Sequence, residues 1–182
     1  RYAVFNGSSD KVSASIDGRY ICATVPTLQK ISDGSSFGRD ANLSIGELKK
    51  ASEGRWQTQM KNVCALVGFS LERFDNVKTI SVYNRSGGSA LSGSFNVFME
   101  DGVPVIKEVV DGTVYASVTM ADGTGKASIT LLPAGETFAS GEYYITTLPV
   151  TLSGLKVTFT NNKNKSVEVV KAVNTAIERN SG

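Results

Sequence analysis

The sequence predicts an all-β protein with the architecture of an antiparallel sandwich or barrel. Short runs rich in β-branched and aromatic residues recur along the 182 residues, and clusters of Gly, Asn, Asp and Ser separate them. Only one segment in the first half carries a helix start signal. Hydrophobic residues make up 41% of the chain and charged residues 20%, as in an ordinary globular protein. Many short strands at this spacing are typical of a β-sandwich.

The first half of the chain contains three predicted strands and one candidate helix. The strands fall at residues 2–5, 12–16 and 19–25; the second alternates apolar and polar residues, and Asp17-Gly18 gives a hairpin signal before the third. Residues 32–42 lack periodicity and are expected to form a long surface loop. Ser44 and Glu47 have capping-box spacing, so a short helix ending near Gly54 is one of two open interpretations of that segment.

The second half reads as a succession of strands. Residues 63–71 are apolar at both alternating positions, which predicts a central strand covered on both faces. Residues 167–177 fit either a helix face or a strand, and their β-branched residues favour a strand. Further strands are predicted at 77–83, 89–98, 113–120, 126–132, 142–148 and 155–159, with turns at 85–88, 101–102, 111–112, 122–125 and 161–164.

The composition argues against an enzyme. The chain contains no histidine, which removes the usual general base near neutral pH and excludes Ser-His-Asp and Cys-His nucleophilic systems within the chain. Nineteen basic residues balance 17 acidic ones, so no electrostatic footprint for nucleic acid is present. We predict no catalytic residue, no cofactor and no metal site, and no nucleic-acid partner. No ligand-binding residue can be named from the sequence.

Two motifs resemble known functional sites, a nucleophile elbow and a calcium loop, but both have simpler explanations. Residues 34–38 match the G-x-S-x-G nucleophile elbow, which needs a preceding strand, a following helix and a histidine, so a loop is preferred. Asp101, Asp111 and Asp122 each precede a glycine and could offer oxygen ligands to calcium. They lack the dense alternation of a calcium loop, and aspartate is common in turns.

Several other residue groups are open to two interpretations. Asn-x-Ser/Thr sequons matter only in a eukaryotic secretory context, and turn chemistry explains them equally well. Exposed aromatics could form a sugar-stacking platform, although packing is the usual role of aromatics in β-proteins. Cys22 and Cys64 could form one disulfide or remain two buried thiols. The sequon asparagines are Asn6, Asn42, Asn84 and Asn164, and the aromatic residues are Trp56, Tyr143 and Tyr144. A third group, Lys156, Lys163 and Lys165, is interpreted as a solvent-exposed strand edge.

Nine segments, in this order, resemble the successive motifs of fimbrillin-like proteins of Bacteroidetes. The resemblance covers nearly the whole chain. Asn6 stands where the family often has proline, Met60 stands where it often has phenylalanine, and the family's opening strands with a W-x-x-G-D-x-I segment are not found in this chain. The segments are Tyr2-Ala3-Val4-Phe5, Val25-Pro26-Thr27-Leu28-Gln29, Ala41-Asn42-Leu43-Ser44-Ile45 after Phe37, Met60-Lys61-Asn62-Val63-Cys64-Ala65-Leu66-Val67-Gly68-Phe69, Val77-Lys78-Thr79-Ile80-Ser81-Val82, Ala90-Leu91-Ser92-Gly93, Tyr143-Tyr144-Ile145 with Leu148-Pro149, Leu155-Lys156-Val157-Thr158-Phe159, and Ile177-Glu178-Arg179-Asn180.

The resemblance implies a transthyretin-like antiparallel β-sandwich with two units. Residues 1–57 would form part of an N-terminal sandwich that lacks its opening strands, and residues 58–182 would form the C-terminal sandwich. The resemblance also implies a cell-surface protein of the outer membrane, anchored through lipidation of a precursor segment. Such a protein would be a fimbrial subunit or an adhesin whose partners are other subunits or surface ligands, with assembly by donor-strand complementation. If these opening strands are absent from the protein, we expect an exposed edge or groove in the first half of the chain.

The leading rival is a carbohydrate-binding surface lipoprotein of a glycan-acquisition system that uses Trp56 or exposed tyrosines. Solvent-exposed, coplanar aromatics would favour it, and buried ones would argue against it. A carboxylate-based enzyme would need two acids about 5 to 10 Å apart in a cleft.

Overall fold

The computed structural model describes residues 1–6, 12–14, 18–32, 35–38, 41–72, 74–85, 90–110, 113–115, 127–152, 154–172 and 174–179. Within these ranges the chain is all-β, with about 63% of the residues in strands. In this part of the chain the helical conformation is limited to 3-10 turns, at Ser52–Gly54 and at Ala41. The predicted all-β class is confirmed.

The strands are short, with none longer than eight residues in the described ranges. In chain order they are β1 (Tyr2–Asn6), β2 (Val12–Ala14), β3 (Ile21–Val25), β4 (Leu28–Lys30), β5 (Leu43–Glu47), β6 (Lys49–Lys50), β7 (Trp56–Gln57), β8 (Lys61–Asn62), β9 (Ala65–Leu71), β10 (Val77–Asn84), β11 (Gly93–Glu100), β12 (Val103–Val110), β13 (Thr113–Tyr115), β14 (Ser128–Leu132), β15 (Gly141–Thr147), β16 (Val150–Leu152), β17 (Leu155–Asn161), β18 (Ser166–Lys171) and β19 (Thr175–Ile177).

Two five-stranded sheets form most of the fold. One has the order β13-β12-β11-β3-β2 and is antiparallel throughout. The other has the order β18-β17-β10-β14-β4, and its β14–β4 pair is parallel. Strands from before and after residue 57 therefore share both sheets, through β3 with β11 and β4 with β14. The division at residues 57 and 58 stays a prediction.

Four smaller sheets complete the described fold. β5 lies between β1 and β8 in a three-stranded sheet, and β9 pairs antiparallel with β15 along seven residues. β16 pairs with β19, and β6 pairs with β7.

A single hydrophobic cluster joins the sheets. Apolar side chains enter it from alternate positions of the strands, as period-two geometry requires. β10 and β14 contribute five completely buried side chains to the cluster, those of Val77, Ile80, Val82, Ile129 and Leu131. The largest completely buried apolar side chains are Ile45, Ile80, Leu91, Ile129, Leu131 and Ile145.

The candidate helix after Ser44 is absent, and that interpretation is wrong. Residues 43–47 form β5, whose Leu43 and Ile45 enter the core, and Ser44 donates a hydrogen bond from Oγ to Oδ1 of Asn62 at 2.7 Å. A strand pairing on both sides satisfies the backbone of this segment, so the capping residues have no helix to cap. The Ser44–Glu47 spacing was a chance match.

The central strand predicted at 63–71 is shorter and less covered than expected. β9 begins at Ala65 and, in the described part of the chain, pairs with β15 alone. Leu66, Gly68 and Ser70 are exposed, so one alternating set of positions lies open. The apolar run reflects a strand beside a groove, and the inference of coverage on both faces is wrong.

Other strand predictions divide into three outcomes. The strands at 77–83, 142–148 and 155–159 are confirmed as β10, β15 and β17. The segment 167–177, for which a strand was favoured over a helix, contains two short strands, β18 and β19. β12 was missed because Pro104 and the Lys107-Glu108 pair interrupt its apolar pattern. Residues 116–126, which include Asp122, most of the strand predicted at 113–120 and the first residue of the strand predicted at 126–132, lie outside the described residues, as do residues 111 and 112.

Candidate functional site

An apolar groove of about 670 Å³ lies between β9 and the β17–β18 hairpin. Two of its lining residues are charged, Glu72 and Lys171, and most of the others are hydrophobic. The apolar lining consists of Val67, Phe69, Leu71 and Phe74 from the β9 side and Leu155, Val157, Phe159, Val167 and Val169 from the hairpin side.

One wall of the groove is the free edge of β9. Six consecutive residues, 67–72, line it, so side chains from both faces of the strand border the groove. Because successive side chains of a strand point to opposite faces, a groove touched by both sets runs along the strand's edge. β15 occupies the other edge of β9. The groove-facing edge therefore presents backbone N–H and C=O groups without a strand partner in the described part of the chain.

The floor of the groove is one face of β17 and β18. Only alternate residues line it: Leu155, Val157 and Phe159 on β17, and Val167, Val169 and Lys171 on β18. β18 is the edge strand of its sheet, and all six of its residues are exposed. Val167 retains 47% of its accessible surface and Val169 retains 43%. These valines form an uncovered apolar surface beside an unpaired strand edge.

Aromatic contacts fix the distance between wall and floor. The Phe69 ring of β9 meets the Phe159 ring of β17 edge-on, with centroids 6.3 Å apart. Phe69 also lies 6.5 Å from Tyr143, which packs edge-on against Phe138 at 4.9 Å. Edge-to-face pairs of this kind hold their rings in defined orientations. The β15–β9 pair is thus anchored over β17 while its outer edge stays open.

The predicted aromatic platform is not assembled. Tyr143 is buried and donates its hydroxyl hydrogen to the Ala139 carbonyl at 2.9 Å. The Tyr144 hydroxyl donates to Glu142, and that hydrogen bond to the carboxylate raises the pKa of Tyr144. Trp56 is 48% exposed, but the guanidinium of Arg1 lies 5.3 Å from its ring centroid. One face of the indole is therefore occupied by a cation–π contact.

The other motif residues have structural roles where they are described. Ser35 of the G-x-S-x-G match donates to the Phe37 carbonyl at 2.9 Å, and Phe37 bridges to Tyr144. Asp101 and Gly102 form a hairpin turn with positive φ values of 51° and 74°. The described residues contain no cluster of three potential metal-ligating His, Cys, Asp or Glu side chains. Asp111 and Asp122 lie outside the described residues.

The sequon asparagines and lysines belong mainly to turns and edges. Asn84 is buried, and Asn164 accepts a hydrogen bond from Nζ of Lys78 at 2.7 Å. Asn6 ends β1, and Asn42 precedes β5. Lys156 forms an ion pair with Glu168 at 3.1 Å, whereas Lys163 and Lys165 donate backbone hydrogen bonds to Oδ1 of Asn161, which shapes the β17–β18 turn.

The two cysteines are free thiols. Cys22 donates from Sγ to Oδ1 of Asn96 at 3.3 Å. Cys64 is buried, and desolvation raises the pKa of its thiol to about 12. The sequence left open whether Cys22 and Cys64 form a disulfide, and in the structure they do not.

The sequence led us to expect an open edge or groove in the first half of the chain. Residues 67–74 of the groove lie in that half, but the opposite side, from residues 155–171, was not foreseen. β1 is also an edge strand, with Val4 and Phe5 exposed, but no lining of the groove comes from it. The sequence carries two signals for the groove: the uninterrupted apolar run at 63–69 and the valine-rich strand near the C-terminal end of the given sequence.

No protein-family model, curated protein or solved structure matches this chain. In the part of the chain that the structure describes, no helix is long and apolar enough to cross a membrane.

Proposed function

We propose that this chain is a non-catalytic bacterial surface protein that accepts a β-strand from another polypeptide along β9. It acts as a fimbrial subunit or adhesin, and the donated strand completes its fold. The observation that carries the proposal is the combination of a β9 edge without a partner among the described strands and an exposed apolar floor on β17 and β18.

The geometry suits strand addition. A strand that pairs with the free edge of β9 extends the β15–β9 sheet, and its alternate side chains fall on the floor of the groove. Main-chain hydrogen bonds then supply affinity, and the apolar floor selects side chains at every second position. Glu72 and Lys171 at the rim favour a strand with complementary charges.

Covering the floor of the groove contributes a modest free energy of binding. Full burial of a valine is worth about 1.5–3 kcal/mol, so covering Val167 and Val169 from their 47% and 43% exposure contributes about 2 kcal/mol in total. Each backbone hydrogen bond to β9 adds about 0.5–1.5 kcal/mol. A strand of six or seven residues therefore has enough contacts for stable association.

The finer architecture belongs to the same proposal. We infer a transthyretin-like sandwich of two units, with the first incomplete, displayed on the outer membrane of a Bacteroidetes cell through a lipidated precursor segment. The resemblance of the motifs supports this, including Pro26 and Gln29 of the P-x-x-Q segment, which the structure joins by a hydrogen bond. Catalysis has no part in the proposal.

The test compares two valines on adjacent positions of β18. Val169 lines the groove and Val170 does not, although Val170 is 49% exposed and Val169 43%. The full-length gene product is purified, and one sample is treated with an arginine-specific protease. The treated and untreated samples are then examined by light scattering and electron microscopy. We expect filaments or SDS-resistant oligomers from wild type and Val170→Asp, and none from Val169→Asp. A protein that stays monomeric in every preparation, or Val169→Asp that assembles as well as Val170→Asp, would contradict the proposal.

A further inference from the structure

A second concavity of about 430 Å³ shares no lining residue with the groove. Its residues come from the end of β5, the β6–β7 pair, the segment leading into β8 and the turn between β11 and β12. Every lining residue except one glycine carries a polar or charged side chain. The lining consists of Glu47, Lys49, Gln57, Thr58, Gln59, Lys61, Asp101 and Gly102.

Rigid backbone features hold this concavity open. Lys49 and Gln57 face each other across the β6–β7 pair, so their side chains share one side. Thr58 and Gln59 cross close over β5 at Gly46, where a Cβ atom would lie 2.2 Å from Oγ1 of Thr58 and 2.6 Å from the Gln59 carbonyl oxygen. The close approach requires glycine.

The opposite wall is the hairpin turn at Asp101 and Gly102. Both residues have positive φ values, as in the two-residue turns whose twist matches that of antiparallel strands. The turn lies beside β8, so Asp101 faces the same concavity as Lys61.

The lining side chains are unpaired with one another. Two carboxylates and two ammonium groups share the concavity, yet within the described ranges no side-chain hydrogen bond or ion pair is made by Glu47, Lys49, Lys61 or Asp101. Together with two amides and one hydroxyl, they offer donors and acceptors of every kind, with a net charge of zero. This set is unlike the mostly apolar lining of a typical small-molecule pocket.

We propose that this polar concavity binds a neutral carbohydrate chain. A sugar hydroxyl both donates and accepts hydrogen bonds, so carboxylates, ammonium groups and amides can all engage it. The balanced charge disfavours polyanions, and the lack of apolar lining disfavours lipids and aromatic ligands. At about 30 Å³ per water, 430 Å³ is the volume of roughly fourteen waters, which corresponds to one or two hexose units.

This proposal is independent of strand binding at β9. Trp56 also has no part in it, because Trp56 is next to Gln57 on β7 and alternate side chains point to opposite sides. The site thus differs from an aromatic sugar platform in both place and chemistry.

The test is affinity electrophoresis of the full chain through gels that contain mannan, galactomannan, xyloglucan or dextran, with hyaluronan as an anionic comparison. We expect at least one neutral polysaccharide to retard the wild type. The double variant Glu47→Ala/Gln57→Ala should lose at least tenfold in affinity, and Trp56→Ala and Val169→Asp should bind as wild type does. Lys61→Gln provides a second variant should the double variant lose its β-sheet circular dichroism.

Three results would overturn the inference. They are no retardation by any of the four neutral polysaccharides, retardation by hyaluronan alone, and retardation that Trp56→Ala abolishes while the Glu47, Gln57 and Lys61 variants leave it unchanged. Loss of strand assembly in Val169→Asp with sugar binding retained would separate the two sites.

Discussion

The side chain of Gln29 pairs with the backbone of Thr146 as a neighbouring strand would. Nε2 of Gln29 donates to the Thr146 carbonyl at 2.7 Å, and the Thr146 N–H donates to Oε1 of Gln29 at 3.0 Å. Gln29 is completely buried on β4, and its Nε2 also donates to the Pro26 carbonyl at 3.2 Å. One amide therefore connects the edge of a five-stranded sheet to β15, the strand that carries β9.

Replacing Gln29 by leucine should destabilise the protein strongly. The substitution leaves the buried N–H and C=O of Thr146 without partners, and each unsatisfied group costs about 1–3 kcal/mol. We expect the free energy of unfolding to fall by about 2–4 kcal/mol in urea titration. Gln57→Leu, at an exposed position, is the matched control and should change stability by about 0.5 kcal/mol or less. Equal losses for the two variants would show that the amide pairing does not stabilise the fold.

Gly46 should not tolerate alanine. A Cβ atom there would lie 2.6 Å from the backbone carbonyl oxygen of Gln59, which cannot rotate away as a side chain could. Overpacking of this kind costs about 1–3 kcal/mol, and we expect a loss near the upper end in thermal denaturation. Gly135→Ala is the control, because nothing lies within 4 Å of the added methyl group. A Gly46→Ala protein as stable as Gly135→Ala would contradict the close crossing of residues 58–59 over β5.

Cys64 should resist alkylation in the folded protein. Burial raises its thiol pKa to about 12 from an ordinary value of 9.0, so the reactive thiolate is scarce at pH 8. We expect iodoacetamide to label Cys22 before Cys64, and Cys64 only on unfolding, as read by peptide mass spectrometry. Labelling of both thiols at equal rates in the native protein would contradict this.

The same shift sets the sign of a pH effect. A thiol whose pKa is raised by folding contributes stability below pH 9 that is lost as the pH rises toward 12, because only the unfolded chain releases the proton in that range. Cys64→Ala should therefore lose less stability than wild type between pH 9 and 11. Parallel stability profiles for the two proteins would show that Cys64 does not titrate this way.

The ion pair between Lys156 and Glu168 should contribute little. Both side chains are partly exposed, at 35% and 52%, so water and salt screen the 3.1 Å contact. We expect Lys156→Ala to change the free energy of unfolding by less than about 1 kcal/mol at 0.15 M salt. A larger loss in urea titration would mean that the cation–π contact of the Lys156 ammonium with the Tyr83 ring, 5.9 Å from Nζ to the ring centroid, also stabilises the fold.

The sequence predicts the fold class and many strands because period-two patterning is local. Leu155, Val157 and Phe159 alternate cleanly, and their strand is present as β17. The capping-box match at Ser44 shows the limit of local signals, because pairing of β5 with strands on both sides overrides it. Pro104 hid β12 in the same way, since tertiary pairing with β11 decides its conformation.

The groove could not be predicted because it depends on which strand edges remain unpaired. Residues 63–69 look like a fully covered strand in sequence, and only the three-dimensional pairing shows β15 on one side and none of the described strands on the other. The Gln29–Thr146 pairing is likewise non-local, since 117 residues separate its partners. The polar concavity brings together four segments, and no spacing rule connects Lys61 with Asp101.

The most direct test of strand binding at β9 is hydrogen–deuterium exchange of peptides covering residues 65–72 and 166–171, in the monomer and in assembled material. The account predicts fast exchange at the free β9 edge in the monomer, slowed by at least about tenfold on assembly, because each edge amide then donates to the added strand. The β17 core peptide should remain protected in both states and serves as the internal control. Assembled material in which residues 65–72 exchange as fast as in the monomer would contradict the account.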